Sequence, residues 1–346
     1  MKLAEKGKGY VSPNPLVGCV IVKRGRVVGR GWHKKCGEAH AEVCALKEAG
    51  KKAKDGIMYV NLEPCSHWGR TPPCTERIVE EHVREIIIGM KDPNPIINGY
   101  QELKFRGLKT KIGILGNECK KLNETYMKYI KTKRPFVLVK AAMSLDGKIA
   151  TKTGDSRYIT GREARKLVHN LRAELDAIMV GINTLLKDNP ELTVRLTKGR
   201  NPIKIIVDSK LKISLNAKIV KNEPSKLIVV TTKKANKKKI KQLHQKGAKV
   251  LIINQKRGKI DLKNLMKELG KLEITSIMIE GGAELNAEAI RSGIVDKILF
   301  FISPRMIGKG LAAIGDLGIK KVDRSINLKN INYRKVGREM LIEGYL

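Results

Sequence analysis

Three residues with metal-binding atoms stand early in the chain: His40 within His40-Ala41-Glu42, Cys65 after Pro64, and Cys74 after Pro73. One imidazole and two thiolates suit zinc, and a catalytic zinc keeps a fourth position for water, whose pKa falls to about 7. Glu42, two residues past the histidine, can serve that water without ligating. It would take a proton and return protons to a ring nitrogen and a departing amine. Such a set would suit hydrolytic removal of an amino group from a heterocycle.

Such a site needs elements to position it. The run from Glu38 to Lys47 reads as the first turns of a helix, with Val43, Ala45 and Leu46 forming its apolar face. Ile57 to Leu62 reads as a strand delivering Pro64-Cys65. A proline beside a cysteine suits a helix N-terminus, whose free N–H groups stabilise a thiolate. Plainer uses of sulfur compete. All six cysteines (Cys19, Cys36, Cys44, Cys65, Cys74, Cys119) would also suit a structural zinc or a disulfide set. The charged opening Met1-Lys2-Leu3-Ala4-Glu5-Lys6 does not read as a secretory leader, so reduced cysteines are expected. A structural site would show Cys-x-x-Cys pairs or four clear ligands, and the spacing favours catalysis.

Length and charge set the outer bounds. A chain of 346 residues predicts two domains. Lys+Arg 70 against Asp+Glu 34 gives a net charge of +36, which invites a nucleic-acid reading. The lysines are spread along the chain, however, and only 4% of residues are aromatic, leaving few stacking platforms. The dense run Lys233-Lys234-Ala235-Asn236-Lys237-Lys238-Lys239 is expected to be a solvated face, and no nucleic-acid partner is expected. A positive surface would steer phosphorylated small molecules. No apolar stretch reaches transmembrane length, so a cytoplasmic protein with no membrane partner is expected.

Common zinc deaminases separate their two cysteines by two residues; here eight intervene, from Ser66 to Pro73. The segment Leu62-Glu63-Pro64-Cys65-Ser66-His67-Trp68-Gly69-Arg70-Thr71-Pro72-Pro73-Cys74 resembles the zinc loop of the bifunctional riboflavin-biosynthesis deaminase/reductases. Ser12-Pro13-Asn14-Pro15-Leu16-Val17-Gly18, Gly31-Trp32-His33 and Lys91-Asp92-Pro93-Asn94-Pro95 are similar to further segments of that family. The resemblance implies that Asn14, His33 and His67 contact the pyrimidine and ribose, and that Arg70 grips the substrate phosphate. A guanidinium is suited to that task. Trp32 and Trp68 adjoin the same segments, either as pocket walls or as packing.

Strand and helix signals alternate up to Thr132-Lys133-Arg134-Pro135, which reads as a connector after a closing helix from Glu118 to Lys131. Residues 1–134 are therefore expected to form a three-layer α/β/α deaminase domain, by resemblance cytidine-deaminase-like. Residues 135–346 follow as a reductase domain. Its strand signals are Phe136 to Lys140, Asp176 to Gly181, Ile203 to Asp208, Lys226 to Thr231, Lys249 to Asn254, Thr275 to Ile279 and Val295 to Ser303. They predict a largely parallel sheet covered on both faces. Ala142-Met143-Ser144-Leu145-Asp146-Gly147-Lys148-Ile149-Ala150 resembles the opening of the family's reductase half, which implies a fold similar to dihydrofolate reductase. Ile277 to Leu285 runs from a strand through Gly281-Gly282 into a helix start that could hold a phosphate.

The resemblance implies substrate contacts at Ser156, Arg172, Leu192, Arg195 and Glu280, the arginines being suited to phosphate. It implies NADPH contacts at Ala142, Tyr158, Thr184, Asp188, Ser209, Gly281 and Gly282. Lys140 is either a cation polarising the ring-opened imine form of the sugar or an ordinary strand-end lysine. The implied cofactors are one Zn2+ per chain and NADPH, the partner a phosphorylated pyrimidine, and a homo-oligomer, dimer or tetramer, is expected. Tyr158 stands where many relatives carry Trp, and the loop Asn98-Gly99-Tyr100 is about two residues shorter than theirs. Two rivals remain: a cytosine or adenine deaminase with a non-catalytic tail, and a basic RNA-binding protein with a structural zinc.

Overall fold

The computed structural model describes residues 1–69 and 72–346. The chain divides into two compact units, Met1–Lys133 and Arg134–Leu346.

The first unit holds a five-stranded sheet of β1 (Gly18–Lys23), β2 (Arg26–Trp32), β3 (Ile57–Leu62), β4 (Glu85–Met90) and β5 (Lys109–Ile112), in the order β2-β1-β3-β4-β5. β1 runs antiparallel to β2 and β3, while β3, β4 and β5 are parallel. Its helices are α1 (Lys2–Glu5), α2 (Ala41–Ala49), α3 (Cys74–Glu80), α4 (Gly99–Phe105), α5 (Gly116–Leu122) and α6 (Glu124–Thr132). Strand side chains alternate between faces, so Cys19, Ile21, Met58, Val60, Ile86 and Ile88 form one buried face. They share a core with Ala41, Ala45, Leu46, Ile78 and Leu103 of α2, α3 and α4. Across the sheet, Cys119 of α5 meets Met1 before α1, Sγ to Sδ 3.7 Å.

β2 was not legible as a strand: Arg26-Val27-Val28-Gly29-Arg30-Gly31-Trp32 carries two glycines where alternation would show side chains. The glycines are there for α2. A Cβ at Gly31 would overlap the Ala41 carbonyl oxygen and press on the Ala45 nitrogen. Gly31→Ala is therefore expected to push α2 off the sheet, costing about 1–3 kcal/mol of stability. An unshifted denaturation midpoint in that variant would refute the close-approach argument. The single closing helix expected from Glu118 to Lys131 is in fact two, α5 and α6, broken at Asn123. Asn123 is buried and turns inward, its Oδ1 accepting from Leu16 N at 2.8 Å and its Nδ2 donating to Leu16 O at 3.1 Å.

The second unit is built on a nine-stranded sheet. Its strands are β6 (Phe136–Ser144), β8 (Ala177–Gly181), β9 (Ile203–Val207), β10 (Leu227–Thr231), β11 (Lys249–Ile252), β14 (Ser276–Ile279), β15 (Lys297–Ser303), β17 (Lys329–Val336) and β18 (Glu339–Tyr345). β7 (Lys148–Thr151) pairs with β16 (Gly310–Ala312), and β12 (Gln255–Lys256) with β13 (Lys259–Ile260). The order is β11-β10-β9-β8-β14-β6-β15-β18-β17. The strands are parallel from β11 to β15, then β18 and β17 add antiparallel.

The helices are α7 (Arg162–Glu174), α8 (Ile182–Asp188), α9 (Lys218–Asn222), α10 (Lys237–Gln245), α11 (Leu262–Lys271) and α12 (Ala283–Arg291). The central strands are largely apolar because both faces are covered, with Lys140 in β6 and the buried Lys204 in β9 as exceptions. Val137, Val139, Met179, Ile205, Ile277 and Ile279 pack with α11 and α12, while Leu138, Ile178, Val180, Ile206 and Met278 pack with α7, α8, α9 and α10. β17 was missed because Lys-Asn-Ile-Asn-Tyr-Arg-Lys-Val is a charged, exposed edge with no buried alternate face. The lysine run lies at the start of α10, where Lys233, Lys234, Lys237 and Lys238 are exposed. Among the described residues, no helix is long and apolar enough to cross a membrane.

Candidate active sites

The first site grows from three chain turns. His40 is the N-cap residue of α2, Cys65 follows β3, and Cys74 is the first residue of α3, behind Pro73. His40 Nδ1 lies 3.3 Å from Cys74 Sγ and 3.5 Å from Cys65 Sγ, and the three donor atoms all fall within 4.8 Å of one another. Zinc bond lengths to nitrogen and sulfur place tetrahedral ligand atoms about 3.6 to 3.8 Å apart, so the donor set fits zinc. The α3 N-terminus contributes as well, with Cys74 N–H donating to Cys65 Sγ at 3.3 Å. Contact with Cys74, joined by the His40 ring, pulls the Cys65 thiol down against its burial. The same contact and burial push Cys74 up, so the two sulfurs compete for one proton, which a divalent cation would replace. Cys65→Ala is expected to leave well under one zinc per chain, measured by metal analysis, and to lower deamination at least about 10²-fold. Full zinc occupancy in that variant would refute the assignment.

Glu42 is 3% exposed, in the first turn of α2. Burial pushes its carboxyl up to about 7, despite the opposing pull of His40. A carboxyl poised near neutrality can both take and return a proton.

Beside it, buried His33 connects two segments far apart in sequence. Its Nδ1 lies 3.2 Å from the Ala39 carbonyl and its Nε2 3.1 Å from Asn14 Nδ2. This pattern assigns the ring proton to Nδ1 and leaves Nε2 to accept from the amide. Burial lowers the His33 pKa, favouring the neutral ring. The ring meets His40 edge-on, with centroids 5.4 Å apart. His67 Nδ1 is buried with no hydrogen-bond partner among the described residues, a polar atom free for a ligand. Arg70 lies outside the described residues. Trp32 packs under Lys6 and Lys34, at 4.6 and 5.3 Å, whereas Trp68 is 70% exposed.

Sequence reasoning missed the brace beneath this site. Buried Glu63 accepts from Asp92 N at 3.0 Å and from Tyr100 N at 2.8 Å, tying the residue pair before Cys65 to the short loop around Gly99. Asp92 in turn accepts from Tyr126 OH at 2.9 Å. The signal was Glu63 within the Leu-Glu-Pro-Cys run, an acid at a strand end where no solvent is expected.

The second site lies at the C-terminal ends of β6, β8, β9 and β14, in a cleft of about 770 Å3. Its lining gathers Lys140, Ala142, Ser156, Tyr158, Thr184, Asp188, Ser209, Glu280, Gly281 and Gly282. Arg172, Leu192 and Arg195 are not among the lining residues. Glu280 is the hub. Arg172 donates to it through Nε at 2.7 Å and Nη2 at 2.9 Å, and Lys140 Nζ lies 3.2 Å from its Oε2. Arg172 Nη1 also donates to Thr193 O at 3.0 Å, so three of the five guanidinium N–H groups are engaged within the protein. Burial alone would raise the Glu280 pKa, but the Arg172 and Lys140 charges outweigh it and hold the carboxyl below the usual range.

Arg195 is exposed and paired with Glu191 at 3.0 Å, while its N–H donates to His169 Nδ1 at 3.0 Å. Leu192 is buried, with φ +53°. Tyr158 is exposed, its ring under Arg165 at 4.1 Å. Gly281 lets β14 turn closely past β8, since a Cβ there would meet Gly181 N at 3.1 Å. Gly282 N donates to Thr184 Oγ1 at 3.3 Å at the head of α12, whose first turn has no side-chain cap.

Comparison with known proteins finds relatives of both units. Residues 1–90 match the cytidine and deoxycytidylate deaminase zinc-binding region, and residues 135–342 match the RibD C-terminal domain. The riboflavin biosynthesis protein RibD of Aquifex aeolicus is 43% identical, over 99% of this chain and 95% of its own. That of Escherichia coli is 36% identical, over 99% and 96%. A Thermotoga maritima structure described as a diaminohydroxyphosphoribosylaminopyrimidine deaminase/5-amino-6-(5-phosphoribosylamino)uracil reductase superposes with TM-score 0.89 at 36% identity, covering 99% of this chain and 95% of that one. Acinetobacter baumannii RibD superposes with TM-score 0.89 at 33% identity, covering 99% and 96%. With kinship running through both units, the chain belongs to the RibD family, the bifunctional deaminase/reductases of riboflavin biosynthesis.

Proposed function

We propose that residues 1–134 deaminate 2,5-diamino-6-(5-phosphoribosylamino)pyrimidin-4-one, and that residues 135–346 then reduce the ribosyl side chain of 5-amino-6-(5-phosphoribosylamino)uracil to ribityl with NADPH. The observation that carries the reading is the zinc-fitting triad His40, Cys65 and Cys74 beside the buried, non-ligating Glu42.

Bound zinc would supply a water ionised near neutral pH. His40, Cys65 and Cys74 hold the ion. Glu42 takes the proton and returns protons to the ring nitrogen and the leaving amine. Asn14, held by the neutral His33, is aligned for the pyrimidine, and His67 offers its unpartnered nitrogen. Arg70 is assigned to the phosphate.

In the second unit NADPH would supply the hydride. Ala142, Tyr158, Thr184, Asp188, Ser209, Gly281 and Gly282 would hold the cofactor, the uncapped first turn of α12 being suited to phosphate. Ser156, Leu192, Arg195 and Glu280 are assigned to the substrate. Arg172 is assigned to the substrate with them, and its guanidinium also orients Glu280. Lys140, held by Glu280 at 3.2 Å, keeps its ammonium at the cleft to polarise the ring-opened imine.

We further assign a homo-oligomer, dimer or tetramer, and a cytoplasmic place to the protein. The edge strand β17 exposes Ile331 and Tyr333 in support of self-association, which sedimentation analysis reads directly.

Incubation with the phosphoribosylaminopyrimidine tests the two steps together. Ammonia release is expected without NADPH, and NADPH absorbance should fall only after deamination. Absence of both signals in zinc-loaded protein would sink the reading.

A further inference from the structure

The segment that carries Arg195, between α8 and β9, has no regular structure, yet it is held residue by residue. Leu192 is buried in the core with φ +53°. Thr193 O accepts from Arg172 Nη1 at 3.0 Å, Val194 N donates to Asn201 Oδ1 at 2.8 Å, and Arg195 N donates to His169 Nδ1 at 3.0 Å. Asn201 is itself anchored, its Nδ2 donating at 2.9 Å to Glu223, the ion-pair partner of the buried Lys204. Three side chains thus fix three consecutive residues, and two of the three, His169 and Arg172, come from α7. Spaced three apart on a helix, they share a face. The roles given above use Arg172 and leave His169 without a task.

The surroundings of His169 suit it to accept a hydrogen bond. The residue is buried, and burial, followed by the charges of Arg172 and Arg195, pushes its pKa down to about 4 against the opposing pull of Glu280. A neutral ring has one acceptor nitrogen; Nδ1 takes the Arg195 N–H, which assigns the proton to Nε2. A charged ring would offer no acceptor and would add a cation beside Arg165, Arg172 and Arg195. Beyond this anchor the Arg195 side chain is 57% exposed, and among the described residues its guanidinium engages only Glu191, through Nη1 at 3.0 Å. The root of the side chain is fixed while its fork stays available to an anion. One face of α7 therefore grips Glu280 through Arg172 and the root of Arg195 through His169. We propose that His169 is a positioning residue of the reductase: by accepting from Arg195 N–H it fixes Arg195 relative to Glu280 and so sets how well the substrate's phosphate is recognised. The proposal rests on the assignment of Arg195 to the substrate.

Steady-state reduction by the full chain at saturating NADPH tests it, with 5-amino-6-(5-phosphoribosylamino)uracil and its dephosphorylated ribosyl analogue as substrates. His169→Leu keeps the bulk and removes the acceptor. It should raise KM for the phosphorylated substrate about 3- to 10-fold, the scale of one hydrogen bond, and leave kcat within about twofold. The preference for the phosphorylated substrate should shrink by the same factor. His169→Asn, whose Oδ1 stands close to the place of Nδ1, should recover most of the loss. In an Arg195→Gln background His169→Leu should add nothing further, because both changes remove one function. Nitrogen-15 NMR of the wild type near neutral pH should find the ring uncharged with its proton on Nε2, a readout that needs no variant to fold. A charged ring, an unchanged preference in His169→Leu, an equal fall for both substrates, or additive losses in the double variant would overturn the proposal. A clear loss of preference in Arg195→Gln beside none in His169→Leu removes the proposal alone. If Arg195→Gln leaves KM and preference unchanged, the substrate assignment of Arg195 falls and the proposal falls with it.

Discussion

Glu42→Gln is expected to reduce deamination by about 10²- to 10⁴-fold, the usual contribution of a positioned general acid–base. Gln keeps the size and polarity of the side chain but cannot carry the proton. The effect should be in catalysis and not in metal binding, because the ligand atoms His40 Nδ1, Cys65 Sγ and Cys74 Sγ close on one another without Glu42. Zinc content should stay near one per chain, and substrate KM should change far less than kcat. Reduction of pre-deaminated substrate with NADPH should continue at the wild-type rate, since Glu42 lies in the first unit and the reductase cleft in the second. If deamination persists within tenfold, the proton passes through another group. If both activities vanish together, the two sites are not independent.

Glu280→Gln is expected to destabilise the second unit by about 3–5 kcal/mol, because it leaves two buried cations facing a neutral amide. Arg172 and Lys140 are only 12% and 14% exposed, and Glu280 5%. For a unit of this size such a loss corresponds to a fall in melting temperature of roughly 6–20 °C. Reductase activity should fall too, as Lys140 loses the partner that holds its ammonium at the cleft. The pH dependence has a definite sign. The folded carboxyl is held below its unfolded value, so its contribution is fully present above the ordinary carboxylate range and is lost as pH falls through the depressed folded value. The wild-type chain should therefore lose stability in acid that the variant has already lost at neutral pH. A variant within about 1 kcal/mol of wild type across that range would show that the triad does not hold the cleft. Adding Arg172→Met to Glu280→Gln should recover part of the loss by removing one stranded charge.

The metal site was legible because its chemistry admits few residue types: a histidine, two cysteines and a carboxyl can be read without knowing the fold. Strands buried on both faces, such as Ala177–Gly181 and Leu227–Thr231, were legible for a related reason, being almost wholly apolar. What escaped was decided by distant partners. Nothing local to Asn123 says that its amide will pair with Leu16 and break a helix in two. The glycines of β2 become intelligible only once α2 lies on them. Arg172 was suited to a phosphate by type, yet its bidentate bond to Glu280 spans 108 positions of chain, a separation no motif reports.

The turn at Glu280-Gly281 has one more implication. Glu280 is locked to Arg172 and Lys140, while the next residue, Gly281, lies against the end of β8 with little room for a side chain. On the roles proposed above, the sugar end of the substrate and the diphosphate of the cofactor are referenced to neighbouring residues of one peptide. On those roles the two anchors would be spaced by the covalent bonds of one dipeptide, held in place by the ionic contacts of Glu280.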